Sequence, residues 1–303
     1  MSDKSLNRVA IIGGTHGAEL TGAYLVKKFE RFPHLVKRSS FETVTLLANP
    51  RAFKAGTRYI HKDLNRSFSL EDLNNTNLST YEDLRAKEIY GLLVNNEKSK
   101  VDFIIDLHST TANMGLTVIL GKLWKEPLIL NLAAYLTDVN SLVKLFNWSN
   151  TQNNSFLRSI CPRNIAIEVG SIAHGTLNPW YFEKTEKLIL TILDFLELYN
   201  QKPVKPTTSQ ITVFKGKDIL DYPRNPNGEL EAMIHPNLIA KDYKALNPGD
   251  PLFQSFQLSE NQTITYQGSS TVFPTFIGEA SYQEKGMAMC LADKQEVDLR
   301  ENL

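Results

Sequence analysis

The sequence predicts an α/β fold, in which helices flank a mixed but mainly parallel β-sheet, followed by a smaller, mostly β domain. Three observations lead to this prediction. Short runs rich in Val, Ile and Leu recur through the first two thirds of the 303 residues, segments with helical periodicity lie between them, and the composition changes near residue 201. Alternation of strands and helices is typical of a layered fold with a parallel sheet.

The apolar runs are short and lack alternating polar positions, which is the pattern of strands buried on both faces of a sheet. They lie at residues 8–14 (RVAIIGG), 43–49 (TVTLLAN), 101–108 (VDFIIDLH), 116–121 (LTVILG) and 164–170 (NIAIEVG). Between and after them, residues 19–32, 81–94 and 185–200 place apolar side chains at helical spacing. In such sheets, ligands bind beyond the carboxyl ends of the strands.

The composition of the last third predicts a second domain. Residues 201–210 (QKPVKPTTSQ) are polar and proline-containing, as expected of a linker. After them, ITVFKG, TITYQG and TVFPTFIG have the character of short strands, and NPNGE and NPGDP that of turns. The sequence therefore predicts two domains, residues 1–205 and residues 206–303.

Overall composition restricts the classes of function. Lys and Arg together number 33, as do Asp and Glu, so there is no net charge to attract nucleic acid or an anionic membrane. No apolar run approaches the roughly 18 residues of a membrane span, and the N-terminus lacks a signal-peptide core. Cys161 and Cys290 fit buried thiols in a reducing compartment. We expect a cytoplasmic protein that acts on a small molecule, with no nucleic-acid or membrane partner.

A glycine-rich segment after the first predicted strand, GGTHGAELTG, holds His16 and Glu19 at i and i+3. If the chain enters a helical turn there, the two side chains share a face. His108, at the end of VDFIIDLH, would complete a set of two histidines and one glutamate, which with a fourth position left for water is typical of catalytic zinc. The alternatives are a chance spacing and an ordinary core histidine. Rival ligands are His61, His174 and His235.

Two carboxylates lie within predicted apolar strands. Asp106 stands two residues before His108, and alternate residues of a strand face the same side, so Asp106 could accept the N–H of a ligand histidine. Glu168, inside NIAIEVG, is costly to bury unless it is paired or functional. Beside a metal, a carboxylate is suited to proton transfer. The alternative for Glu168 is a structural ion pair.

Several arginines accompany these residues. Arg58, Asn65 and Arg66 lie in GTRYIHKDLNRSF, and Arg158 lies in SFLRSICP. A guanidinium can bind a carboxylate through two parallel hydrogen bonds, so arginines near the metal ligands would imply a substrate with more than one negative charge. Each could instead be a solvated surface residue. Asp63 could orient one guanidinium or be an ordinary turn aspartate.

Taken together, the motifs resemble those of one family, aspartoacylase and its close relative aminoacylase-3. In chain order they are GGTHGAELTG, NPRAF, TRYIHKDLNRSF, DFIIDLHSTTANMG, IAIEVG, DYPRNPNGE, IHPNL, NPGDPLF and EASYQEK. The resemblance includes both predicted domains and is weakest over residues 123–153. It implies a zinc-carboxypeptidase-like fold whose β-rich C-terminal domain contributes to the active-site cleft. It also implies hydrolysis of N-acyl-L-amino acids, with N-acetyl-L-aspartate giving acetate and L-aspartate.

The resemblance further implies roles for individual residues. The family's ligands for one Zn²⁺ per chain match His16, Glu19 and His108. Its catalytic residues match Glu168, the base, and Arg58, which polarises the scissile carbonyl. Its substrate-binding residues match Asn65, Arg66, Arg158 and Tyr282. Of these, Asn65 and Arg66 would hold the α-carboxylate, Arg158 the side-chain carboxylate, and Tyr282 would come from the C-terminal domain.

Two departures from the family pattern bear on substrate selectivity. Aspartate-specific members carry a tyrosine four residues before the arginine that matches Arg158, where this chain has Asn154, and the family's HNTT is HSTT here. The alternatives are therefore an N-acyl-aromatic amino acid deacylase, a succinyl-amino-acid hydrolase or metallocarboxypeptidase, and a non-catalytic protein that binds zinc or a small acid. A homo-oligomer is a further expectation from the family.

Overall fold

A nine-stranded sheet and a three-stranded sheet form the β-structure of the protein. The computed structural model describes residues 5–94, 100–148, 155–202, 208–256 and 263–300. The strands are β1 (Arg8–Gly13), β2 (Glu42–Leu47), β3 (Phe103–Ser109), β4 (Gly115–Leu120), β5 (Val143–Trp148), β6 (Asn164–Gly170), β7 (Gln210–Leu220), β8 (Ala232–Ile234), β9 (Pro251–Ser255), β10 (Thr263–Thr265), β11 (Phe273–Thr275) and β12 (Met289–Asp298).

Helices cover the larger sheet. The α-helices are α1 (Leu20–Arg31), α2 (Pro50–Ala55), α3 (Leu70–Asn74), α4 (Tyr81–Leu93), α5 (Pro127–Val139) and α6 (Pro179–Gln201). Short 3-10 helices lie at Pro33–Leu35, Leu64–Arg66, Leu157–Ile160, Pro236–Leu238 and Gln283–Lys285. In the described part of the chain, no helix combines the length and apolar character needed to cross a bilayer.

The order of the larger sheet is β11-β12-β7-β5-β4-β6-β3-β1-β2. Strands β2, β1, β3 and β6 are parallel, β4 runs antiparallel to β6, and β5 is parallel to both β4 and β7. Strands β12 and β11 then add antiparallel pairs at the far edge. The predicted fold class, a mixed but mainly parallel sheet flanked by helices, is confirmed.

The β-rich C-terminal part is continuous with the N-terminal part through main-chain hydrogen bonds. Strand β7 pairs with β5, so that Val213 lies opposite Leu145. Strands β11 and β12 extend the same sheet, and the other C-terminal strands form the small antiparallel sheet β10-β9-β8. The predicted boundary between residues 205 and 206 lies outside the described residues. The division into two domains therefore stays a prediction, and the structure adds that the larger sheet continues from β5 into β7.

Both faces of the parallel region are buried, which explains the apolar runs. Ile11 and Ile105 pack into the cluster that includes α1, α5 and α6, whereas Ile12 and Ile104 pack into the cluster that includes α4. At about 25 cal/mol per Å² of buried apolar surface, such packing is the main stabilising contribution to the fold. Cys161 and Cys290 are buried and unpaired.

Some elements begin elsewhere than the periodicity predicts. Helix α6 begins at Pro179 rather than at residue 185, because Asn178 caps it by accepting hydrogen bonds from the Trp180 and Tyr181 backbone N–H groups. The segment where the motifs were weakest contains α5 and β5, whose existence the sequence did not predict.

The topology places three adjacent strand ends at one edge of the sheet. β1, β3 and β6 are neighbours and parallel, so the residues at their carboxyl ends lie side by side. His108 and Glu168 are paired across β3 and β6, and the glycine-rich segment follows β1 directly. The polar residues singled out in the sequence therefore come together at the edge where α/β sheets bind ligands.

Candidate active site

The segment after β1 is a hydrogen-bonded turn, so the condition of a helical turn at His16 and Glu19 is not met. The backbone of Gly14 has φ +66°, a conformation that favours glycine, and the Glu19 N–H donates to the His16 carbonyl over 3.2 Å. Helix α1 begins only at the next residue, Leu20. The hydrogen-bonded turn nevertheless brings the His16 and Glu19 side chains together. Gly17 packs so closely on α2 that a Cβ atom would lie 2.1 Å from the Ala52 carbonyl carbon.

His16, Glu19 and His108 form a buried cluster. The Nδ1 atom of His16 lies 2.6 Å from Glu19 Oε1, and Nδ1 of His108 lies 3.0 Å from Glu19 Oε2. One candidate ligand atom from each residue lies within 4.8 Å of those of the other two. The turn after β1 and the end of β3 thus converge on one point, although Glu19 and His108 are 89 residues apart in the chain.

The outer nitrogen of each imidazole is held by an aspartate. His16 Nε2 lies 2.9 Å from Asp63 Oδ1, and His108 Nε2 lies 3.0 Å from Asp106 Oδ2. Such carboxylate partners orient a metal-ligating histidine and make it a stronger donor. Asp63 also contacts Arg58, at 3.4 Å between Oδ2 and Nη2, so it has both the histidine and the guanidinium as partners.

The cluster fits a bound divalent cation such as zinc. Two imidazole nitrogens and a carboxylate oxygen are a donor set that zinc prefers in catalytic sites. Burial lowers the pKa of His108, but the charges of Asp106 and Glu19 outweigh this and raise it well above its usual value. The surrounding carboxylates therefore favour positive charge at this position. The rival histidines lie elsewhere: His61 beside Glu82, His174 beside Glu279 and His235 beside Asn237.

Glu168 lies near the end of β6, where its side chain is buried. No described residue gives its carboxylate a hydrogen bond or an ion pair, so the structural ion pair considered for it is not observed there. Burial raises the pKa of Glu168 well above its usual value, and the charges of Glu19 and Glu279 raise it further, which outweighs the opposite effect of the charges of His108 and Arg58. A buried, unpaired carboxyl group is costly, which points to a role in chemistry.

Three arginines face the same space. Arg58 donates from Nη1 to Glu19 Oε1 over 3.2 Å, and its Cζ lies 6.0 Å from the centre of the Tyr282 ring. Arg66 donates to the carbonyl of Asn65 over 2.9 Å, and Arg158 donates to Asn164 Oδ1 over 2.8 Å. Among the residues with described positions, neither Arg66 nor Arg158 forms an ion pair with a carboxylate.

All nine residues proposed to act directly line one cavity of about 40 Å³. They are His16, Glu19, Arg58, Asn65, Arg66, His108, Arg158, Glu168 and Tyr282. The two aspartates, Asp63 and Asp106, lie behind the histidines. Asn154, the position of the missing family tyrosine, lies outside the described residues.

Glu279 is a cavity residue that the sequence reasoning missed. Its carboxylate accepts hydrogen bonds from the Thr110 hydroxyl, from the Thr111 N–H over 2.7 Å and from the Ser281 hydroxyl over 2.8 Å. Burial raises the pKa of Glu279, but the hydrogen bonds from His174, Thr110 and Ser281 outweigh this and lower it to about 2. Glu279 thereby ties the C-terminal part to the loop after β3. Glu168 was selected because it is a glutamate in an apolar run. The same criterion would have selected Glu279, which lies in TFIGEA.

Comparison with protein families covers both parts of the chain. The model described as the succinylglutamate desuccinylase/aspartoacylase catalytic domain matches residues 5–196. The model described as the AstE/AspA barrel-sandwich hybrid domain matches residues 209–294. The first match ends within α6, and the second begins just before β7.

Individual proteins and solved structures are similar over nearly the whole chain. A probable aspartoacylase of Nostoc sp. is 53% identical over 290 residues, which cover 96% of this chain and 97% of that protein. A human N-acyl-aromatic-L-amino acid amidohydrolase (carboxylate-forming) is 36% identical, over 95% of this chain and 91% of that protein. The crystal structure of murine aminoacylase 3 superposes with a TM-score of 0.91 at 36% identity, covering 98% of each chain.

Proposed function

Since this chain belongs to the succinylglutamate desuccinylase/aspartoacylase family, we propose that it is a zinc-dependent amidohydrolase that deacylates N-acyl-L-amino acids. The preferred substrate in this proposal is N-acetyl-L-aspartate, which water converts to acetate and L-aspartate. Relatives named aspartoacylase and N-acyl-aromatic-L-amino acid amidohydrolase both support cleavage of an amide on an amino acid.

One observation carries the proposal. A buried carboxyl group without a partner, a His–Glu–His cluster and two arginines without carboxylate partners in the described structure line the same small cavity. The cluster supplies ligands for a metal, the carboxyl group can carry a proton, and the arginines can bind two carboxylates. Hydrolysis of an acylated dicarboxylic amino acid needs all three functions in one place.

In this proposal His16, Glu19 and His108 hold the zinc ion, and Asp63 and Asp106 keep both imidazoles in orientation. When bound, zinc polarises the acyl carbonyl and makes water a stronger acid. Arg58, which lies beside Glu19, would add a hydrogen-bond donor for the negative charge that develops on the carbonyl oxygen.

Glu168 would move the proton. It accepts a proton from water, whose oxygen forms the new bond to the acyl carbon, and the carbon–nitrogen bond then breaks as Glu168 returns the proton to the leaving amine. The second proton of the water leaves the new carboxyl group and is taken up by the amine, so the acyl group leaves as a carboxylate and the amino acid in its ammonium form. A raised pKa brings this carboxyl group closer to the pH range in which it can both accept and return a proton.

Asn65, Arg66, Arg158 and Tyr282 would position the substrate. Arg66 would bind the α-carboxylate with Asn65, whose side-chain oxygen already accepts from the Leu157 N–H over 2.9 Å. Arg158 would bind the side-chain carboxylate, because its half-buried guanidinium lies in the cavity wall and forms no ion pair with a described carboxylate. Fixing both carboxylates orients the amide for attack.

A panel of substrates tests the proposed function. The zinc-loaded protein should hydrolyse N-acetyl-L-aspartate with a higher kcat/KM than N-acetyl-L-glutamate, N-acetyl-L-tyrosine, N-succinyl-L-glutamate or a dipeptide. A highest value on N-acetyl-L-tyrosine would instead support the aromatic deacylase, and on N-succinyl-L-glutamate the succinyl-amino-acid hydrolase. Absence of turnover on every compound at one zinc per chain would contradict the proposal and support a non-catalytic zinc protein.

Arg158→Ala is expected to change selectivity more than overall activity. Loss of a charged hydrogen-bonded pair costs about 1.5–3 kcal/mol, so kcat/KM on N-acetyl-L-aspartate should fall by about 10- to 150-fold. N-acetyl-L-alanine, which has no side-chain carboxylate, should lose much less. Arg51→Ala is the control, because this exposed arginine lies over the Tyr81 ring and does not line the cavity. Equal losses on both substrates would mean that Arg158 does not read the side chain.

A further inference from the structure

Phe156 lies against Arg66 and Arg158. These two arginines face the cavity and form no ion pair with a described carboxylate. The centre of its ring is 4.6 Å from Cζ of Arg66 and 5.4 Å from Cζ of Arg158. Both distances fall within the roughly 6 Å over which an aromatic ring attracts a cation. The ring itself forms part of the wall of the catalytic cavity.

The two guanidiniums carry like charge. Burial lowers the pKa of Arg158 and the charge of Arg66 lowers it further, while the charges of Asp106 and Glu168 act in the opposite direction. No carboxylate among the described residues forms an ion pair with either of them. The negative face of one ring therefore supplies attraction to both cations without neutralising either, which leaves both able to bind anions.

The backbone around Phe156 is joined to the segment that carries Arg66. The Leu157 N–H donates to Asn65 Oδ1 over 2.9 Å, and the Phe68 N–H donates to the Ser155 carbonyl over 3.1 Å. The Phe156 carbonyl in turn accepts from the Ser159 N–H over 3.0 Å, within the 3-10 helix Leu157–Ile160 that carries Arg158. The ring thus has a defined position relative to both guanidiniums.

The ring also lines a second cavity. This cavity has a volume of about 470 Å³ and shares Trp148, Phe156 and Arg158 with the catalytic cavity. The walls of this second cavity include apolar side chains such as Leu73 and Ile160. A shorter side chain at position 156 would open the small polar cavity towards a larger and more apolar one.

We propose that Phe156 is a positioning residue that sets the separation of two carboxylate-binding guanidiniums and thereby selects substrates with two carboxylates. The inference rests on the proposed function for the identity of the substrate. Phe156 would determine selectivity through its contacts with both arginines, without touching the reacting amide. Its effect should therefore appear in substrate binding and selectivity more than in the chemical step.

The test compares Phe156→Leu with Phe156→Tyr, which keeps the ring, and with Phe32→Leu. Phe32 is a matched control because its exposed ring lies 5.2 Å from Cζ of Arg31, a contact of the same kind outside the cavity. Each variant is assayed for kcat and KM on N-acetyl-L-aspartate, N-acetyl-L-alanine and N-acetyl-L-tyrosine. Calorimetry on the same proteins measures Kd for N-acetyl-L-aspartate in the Glu168→Gln background.

Loss of two ring contacts should raise KM and Kd for N-acetyl-L-aspartate by about 5- to 30-fold in Phe156→Leu, with kcat changed less than KM. KM for N-acetyl-L-alanine, which engages one guanidinium, should rise by about two- to fivefold. The ratio of kcat/KM on N-acetyl-L-tyrosine to that on N-acetyl-L-aspartate should increase. Phe156→Tyr and Phe32→Leu should retain wild-type values.

Three results would overturn the inference: an unchanged KM and Kd in Phe156→Leu, equal rises for the aspartate and alanine substrates, or failure of Phe156→Tyr to restore binding. Failure of the proposed function is a different result, namely absence of turnover by the wild-type chain. The calorimetric Kd still decides the role of Phe156 in that case, since weaker binding by Phe156→Leu supports it and equal or absent binding contradicts it.

Discussion

Glu168→Gln is expected to lower kcat by about 10²- to 10⁴-fold, the usual contribution of a positioned general base. Glutamine has nearly the same shape but cannot accept a proton from water or return one to the amine. Because the Glu168 carboxylate has no hydrogen bond or ion pair to any described residue, the substitution removes no such contact. Zinc content and thermal stability should therefore stay close to those of the wild-type protein.

The measurement is kcat on N-acetyl-L-aspartate, together with metal analysis and a melting curve. Glu88→Gln is a suitable control, since this glutamate of α4 is exposed and pairs only with Arg85 among the residues whose positions are described. It should keep wild-type kcat. A zinc-loaded Glu168→Gln variant with near wild-type turnover would remove Glu168 from the role of base.

His108→Ala is expected to abolish both metal binding and activity. The substitution removes one of three ligands and leaves the buried carboxylates of Asp106 and Glu19 without the imidazole between them. Wild-type protein should contain one zinc ion per chain. At a zinc concentration about 100 times Kd, binding should stabilise the wild type by about 2.7 kcal/mol, which corresponds to a rise in Tm of about 5 °C.

Metal analysis and the zinc dependence of Tm distinguish this role from a merely structural one. In His108→Ala, added zinc should leave Tm unchanged, whereas in His34→Ala, where an exposed histidine is replaced, Tm should rise as in the wild type. Chelation of the wild-type protein should abolish turnover, and added zinc should restore it. Full zinc content in His108→Ala would mean that the ion is held elsewhere.

Local pattern was enough to predict the strands around the site. Residues 164–170 were predicted as a buried strand and form β6 with the same bounds. A short apolar run bounded by glycine and polar residues is typical of a strand whose two faces are both covered by other elements. The spacing of Asp106 and His108 along β3 was likewise readable, because alternate residues of a strand face one side.

Contacts between distant segments were not readable in this way. Asp63 was considered as a partner of an arginine, and its contact with His16 depends on how the loop after α2 folds back over the turn after β1. Glu279 reaches Thr110 from the other end of the chain, through the continuation of the sheet across β5 and β7. No local pattern encodes either approach.

Taken alone, the amino-acid sequence determined the fold class and the strands that end at the site, which depend on side-chain chemistry and on short-range periodicity. The family resemblance of the motifs, and not their spacing, selected His16, Glu19 and His108 over the rival histidines. Only the tertiary structure decided that Glu168 has no described hydrogen bond or ion pair, that Asp63 holds His16 and that one phenylalanine ring faces two arginines. Such relations arise when packing and strand pairing bring together residues that are far apart in the chain, and the free energy of those contacts is absent until the chain has folded.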